Sequence, residues 1–90
     1  MRFGELLTKH REKAGYTSTE LAKKMGVSLT YIRNLELRGK KSPPFERCIQ
    51  LTEILNLSKK ETKIFLETAF EERLNEKDKE FYKAIKIENK

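Results

Sequence analysis

Four side chains between positions 29 and 34 are of the types that read the edges of base pairs: Leu29, Thr30, Arg33 and Asn34. Arginine forms a bidentate pair with guanine and asparagine with adenine, while Thr and Leu methyls can meet the methyl of thymine. At about 100° per residue, a helix here turns Thr30, Arg33, Asn34 and Leu37 away from a side carrying Ile32 and Leu35. Leu29 falls at the N-terminal tip, where a helix inserted end-first would also touch its target. On an isolated helix, such polar residues could simply be solvated. The residues before them alter that reading.

The stretch from Thr17 to Glu36 reads as a short helix, a tight turn at Gly26 and a second short helix. Thr17 and Glu20 have capping-box spacing, so hydroxyl and carboxylate would each satisfy a backbone N–H of the other residue. Leu21, Ala22 and Met25 put one apolar face on the first helix. Gly26 can take the left-handed conformation that ends it, and Val27 plugs the turn into the core. Ser28 can cap the second helix. Two helices joined by a short Gly-containing turn form a helix-turn-helix.

The charge distribution agrees with a polyanion-binding face. The net charge is +6 over 90 residues. Residues 1–45 hold ten Lys/Arg against four Asp/Glu, and residues 46–90 hold ten against ten. The basic excess therefore lies wholly in the half with the helix-turn-helix. A chain of this length allows one domain with a modest core. An enzyme is not expected. One His, one Cys and one Asp, with no Gly-rich phosphate loop, supply neither a catalytic constellation nor a metal-ligand cluster. No cofactor or metal is expected either. Cys48 has no partner for an intramolecular disulfide and reads as a buried thiol, and His10 as a packing residue. With no membrane-length apolar run and no leader pattern, the expectation is a cytoplasmic protein without membrane contact.

The remaining chain reads as further helices. Residues 2–14 form the first, with Phe3, Leu6, Leu7, His10 and Ala14 at 3–4 spacing and Gly15 as its stop. Lys40, Lys41 and Ser42 form a basic loop suited to the DNA backbone. A fourth helix starts near Pro44 or Phe45, with Phe45, Cys48, Ile49, Leu51, Thr52 and Leu55 on its core side. Asn56 is a C-terminal stop, and Ser58 with Glu61 makes a second capping box. A fifth helix follows, presenting Ile64, Phe65, Leu66, Ala69, Phe70 and Leu74 as a broad apolar face. Beyond it, residues 75–80 (NEKDKE) are charged on all sides, favouring a break or a projecting helix.

The arrangement resembles the Cro/Xre family of phage-repressor-like DNA-binding domains over roughly residues 2–70. Phe3, Leu7, Arg11, Gly15 and Thr17 carry the resemblance, followed by Glu20-Leu21-Ala22, Met25-Gly26-Val27-Ser28, Tyr31-Ile32 and Leu35-Glu36. Gly39-Lys40-Lys41, Pro43 and Leu55-Asn56-Leu57-Ser58 complete it. The family implies an ion pair between Arg11 and Glu36. Ser18 stands where many relatives carry a phosphate-contacting Gln; its hydroxyl and the open N–H groups of that helix end can still serve. Leu37 and Arg38 precede Gly39 where relatives have one residue, so the helix lengthens or the loop bulges.

The fold expected is all-α: a five-helix repressor-like domain over residues 1–74, with residues 75–90 a C-terminal helical extension. Base contacts fall to Leu29, Thr30, Arg33 and Asn34. Phosphate contacts fall to Ser18, Ser28, Arg38, Lys40 and Lys41. The family implies a transcriptional regulator, most often a repressor, binding double-stranded DNA. An apolar stripe of Phe81, Tyr82, Ile85 and Ile87 makes a homodimer interface, folds back over its own core or docks a protein partner. In the last case the chain would be an antitoxin or an interaction module.

Overall fold

A computed structural model describes residues 2–37, 42–74 and 84. It contains α1 (Phe3–Lys13), α2 (Ser18–Met25), α3 (Leu29–Leu37), α4 (Phe45–Ile54) and α5 (Lys59–Arg73), with no strand among the described residues. Both expected capping boxes are formed. Thr17 Oγ1 accepts from the Glu20 N–H at 3.1 Å, and Glu20 Oε1 accepts from the Thr17 N–H at 2.9 Å. Ser58 and Glu61 repeat this at 3.1 and 3.0 Å. Three helices end in left-handed residues: Gly15 after α1 (φ 82), Gly26 after α2 (φ 72) and Asn56 after α4 (φ 52). Behind each, an N–H reaches back five residues, as in Val27 N–H to the Ala22 carbonyl at 3.0 Å. These reversals turn the chain back between successive helices rather than letting it run on as one rod.

The core gathers side chains from every helix. Phe3, Leu7, Leu21, Ile32, Leu51 and Phe65 are essentially inaccessible. Helix α1 packs on α3 and α5, α2 on α3 and α4, and α4 on α5. The Phe3 and Phe65 rings meet at 4.9 Å between centroids. Polar contacts close the molecule where apolar contacts thin out. Arg2 provides no side-chain cap for α1, and Glu72 at the far end of α5 does so instead, accepting from the Phe3 N–H at 2.6 Å. The Ser42 hydroxyl donates to the Ala69 carbonyl at 2.6 Å, and Arg73 donates to the Ser42 carbonyl at 3.0 Å.

Several packing expectations need correction. Ser42, read as part of a basic loop suited to the DNA backbone, is buried against α5. Phe45 is 68 % exposed instead of facing the core. It is the first residue of α4, and the buried Pro43 fills that end of the core. On α5 the buried stripe narrows to Phe65 and Ala69 with Leu66 packed beside them, leaving Ile64 and Phe70 about half exposed. One turn separates Phe65 from Ala69, and Ile64 and Phe70 at either flank rotate partly towards solvent. Ala14 is also exposed.

Candidate nucleic-acid interface

Helix α3 is held from behind and open in front. Ile32 and Leu35 are buried, whereas Thr30, Arg33 and Leu37 are exposed and Leu29 and Asn34 partly so. The Ser28 hydroxyl, itself exposed, caps the helix by accepting from the Tyr31 N–H at 3.1 Å. Tyr31 lies half-buried against the core between the two sides.

Three contacts set the position of α3. Gly4 sits under its last turn, where an added Cβ would come within 2.5 Å of the Leu35 carbonyl oxygen and 2.8 Å of that of Glu36. No side chain fits there, so α1 and α3 approach backbone to side-chain-free backbone. Arg11 reaches the same turn. Its Nε donates to Glu36 Oε2 at 2.8 Å, Nη2 to Oε1 at 3.3 Å and Nη1 to the Tyr16 carbonyl at 2.7 Å. The Glu36 side chain is only 4 % exposed. One guanidinium thus joins α1, the α1–α2 turn and the end of α3. The third contact braces the helix-turn-helix at its turn. Arg47 and Gln50 of α4 both donate to the Met25 carbonyl, at 3.1 and 3.3 Å, and Arg47 also donates to Gln50 Oε1.

Helix α2 offers its N-terminus on the other side of the turn. Thr17 Oγ1 occupies the Glu20 N–H, and Ser18, the first helical residue, is half-buried. The backbone N–H of Thr17 and then its hydroxyl hold the Glu20 carboxyl below its ordinary range. At the other end Lys24 lies over the Tyr16 ring, 5.3 Å from its centroid. Arg38, Lys40 and Lys41, the expected phosphate-binding residues after α3, lie outside the described residues. So do Phe81, Tyr82, Ile85 and Ile87.

The groups that might suggest other chemistry are engaged in packing. Cys48 is buried with Sγ 3.5 Å from the Pro43 carbonyl, and burial pushes its thiol up to about 11. His10 is buried edge-on to Phe65, 6.1 Å between ring centroids. Among the described residues, no group of His, Cys, Asp or Glu could hold a metal ion, and no helix is long and apolar enough to cross a membrane.

A family model described as helix-turn-helix matches residues 7–61, over half of the chain. This protein belongs to the Cro/Xre-type helix-turn-helix family. The family is one of DNA-binding regulators of transcription and is generally non-enzymatic. Among curated proteins, one from Thermococcus kodakarensis is 40 % identical over 74 residues, 82 % of this chain. Its name describes a proposed HTH-type transcriptional regulatory protein. The chain spans only 23 % of that relative's length. No solved structure matches at a comparable level.

Within this helix-turn-helix domain, sequence reasoning passed over Gly4, Glu72, Arg47 and Gln50. Gly4 carried a signal: a glycine inside a helical pattern is unfavourable and implies a packing reason. The other three carried none, because their partners are backbone groups distant in sequence.

Proposed function

We propose that this helix-turn-helix protein is a sequence-specific repressor of transcription that binds a pseudo-palindromic operator as a homodimer. The observation carrying this reading is the bracing of α3 by Gly4 and the Arg11–Glu36 pair while Thr30 and Arg33 stay exposed. A fixed helix with base-reading residue types on its open side suits the major groove. In this reading Leu29, Thr30, Arg33 and Asn34 contact base edges, with Arg33 and Asn34 the main readers. Ser18, Ser28, Arg38, Lys40 and Lys41 hold phosphates. Residues 1–74 form the DNA-binding unit, and residues 75–90 dimerise it through Phe81, Tyr82, Ile85 and Ile87. Two copies of α3 then enter successive major grooves about 34 Å apart, and occupation of a promoter excludes the polymerase.

Selection of bound duplexes from a random pool, followed by titration of the winner at several salt concentrations, tests it. The expected result is a two-fold symmetric motif with a steep salt slope. Arg33→Ala should then cost about 1–3 kcal/mol on the selected site and relax one base position. Lys40→Ala should weaken all sequences alike and flatten the salt slope. Equal losses on selected and random DNA for Arg33→Ala would remove it as a base reader. Recovery of no motif, with binding that follows ionic strength alone, would sink specific readout.

A further inference from the structure

Helix α3 is anchored differently at its two ends. Gly4 and the Arg11–Glu36 pair act on its last turn, around Leu35 and Glu36. Leu29 and Thr30 lie at the other end, about 10 Å along the axis from that anchor. The first backbone bond there, from the Ile32 N–H to the Ser28 carbonyl, is long at 3.4 Å. The chain enters this tip through the α2–α3 turn, so the position of the turn bears directly on where Leu29 and Thr30 stand.

Packing does not hold the turn at Gly26, where nothing lies within 4 Å of where a Cβ would be. The turn satisfies two carbonyls of α2 by itself: Gly26 N–H donates to Lys23 at 3.2 Å and Val27 N–H to Ala22 at 3.0 Å. The Met25 carbonyl, one of the last four of α2 and without an intrahelical donor, is served from α4. Arg47 Nη1 donates to it at 3.1 Å and Gln50 Nε2 at 3.3 Å. Arg47 Nη1 also donates to Gln50 Oε1 at 3.1 Å, which fixes the carboxamide with its N–H group towards Met25. Arg47 and Gln50 stand three apart on α4, so both reach out from one side of that helix. The result is a closed, part-buried triangle joining α4 to the residue before Gly26.

We propose that Arg47 and Gln50 are positioning residues for base recognition, holding the N-terminal tip of α3 in register through the Met25 carbonyl. The inference rests on the reading of α3 as the base-reading helix and gives its two ends separate anchors. Loss of the clamp shifts Leu29 and Thr30, while Arg33 and Asn34, nearer the Arg11–Glu36 anchor, keep their places.

Selection of duplexes by wild-type, Thr30→Ala and Gln50→Met chains tests this, with a melting temperature measured for each. Gln50→Met is the cleanest change, because it removes both contacts of the carboxamide and leaves the net charge alone. Its affinity for the wild-type site should fall roughly three- to tenfold, while its affinity for random DNA stays as in the wild type. The base positions it relaxes should be those that Thr30→Ala relaxes. Arg47→Met should relax the same positions, and Arg47→Lys, which keeps the charge and a donor, should restore part of the loss. A Gln50→Met chain that melts earlier yet binds both DNAs as the wild type does, at temperatures where it is folded, would make the clamp purely structural and overturn the proposal. Equal losses on selected and random DNA would overturn it too. A flatter salt slope in Arg47→Met, with Gln50→Met unaffected, would put Arg47 on the DNA backbone instead and reject the clamp. A wild type that does not discriminate between duplexes would remove base reading by α3 and this inference with it. A discriminating wild type beside an unaffected Gln50→Met removes the clamp alone.

Discussion

Glu36 carries a charge into a site where 4 % of its side chain meets solvent, and Arg11 is the group that makes this tolerable. Removing the guanidinium leaves a buried carboxylate without its partner, whereas replacing both residues by apolar ones removes the desolvation cost as well. Arg11→Ala should therefore lower stability to urea by roughly 3–5 kcal/mol. The double variant Arg11→Met, Glu36→Leu should recover most of that loss. If the double variant were as unstable as the single one, the ion pair would not be the source of the effect. Gly4 acts at the same turn through the space it leaves. A methyl group there meets backbone carbonyls of Leu35 and Glu36, which cannot rotate away as a side chain would. Gly4→Ala should cost about 1–3 kcal/mol through overpacking. Because the strain is relieved by moving α3, affinity for the selected operator should fall more than affinity for random DNA.

At the scale of elements, the three left-handed residues do the work of folding short helices back on one another. Gly26 is the one that sets α3 against α2. Its φ of 72 is open to glycine, and nothing lies within 4 Å of where a Cβ would be, so backbone conformation alone opposes substitution. Gly26→Ala should destabilise the domain by about 1–2 kcal/mol without creating a clash. Gly26→Asn should cost less, since asparagine tolerates this region, as Asn56 does after α4 at φ 52. Thermal melts of the pair distinguish conformational strain from loss of packing. Equal losses would argue against the backbone explanation.

For the whole molecule, acid should act in two stages that involve α1 and α5. Burial holds His10 below its ordinary 6.5; Glu61 opposes this, while Lys9 and Lys13 add to it. The unfolded chain thus takes up a proton at His10 before the folded one does, and stability falls as pH drops below about 6.5. Glu61 has its carboxyl lowered from 4.5 to about 2, first by the Ser58 N–H and then by Lys13 at 2.9 Å. Its contribution is present above 4.5 and is lost between there and about 2. Urea midpoints measured from pH 8 to 3 should show both limbs. His10→Leu should flatten the upper limb and Glu61→Gln the lower one. An upper limb unchanged in His10→Leu would remove the histidine as its cause.

The sequence alone determined whatever depends on neighbours along the chain. Capping boxes at Thr17–Glu20 and Ser58–Glu61, stops at Gly15, Gly26 and Asn56, and the helical phase of Ile32 and Leu35 are all local, and they suffice for five helices with a helix-turn-helix. Only the tertiary structure decided what depends on contacts across the chain. Glu72 capping α1, Arg47 and Gln50 holding the Met25 carbonyl, and Ser42 buried under α5 join residues 22 to 69 positions apart. No pattern of apolar spacing encodes a hydrogen bond to a distant backbone group. The same holds for Phe45, Ile64 and Phe70. Their period and type read as core, but how far a helix buries its apolar residues depends on where its neighbours end, and these three stay about half exposed or more.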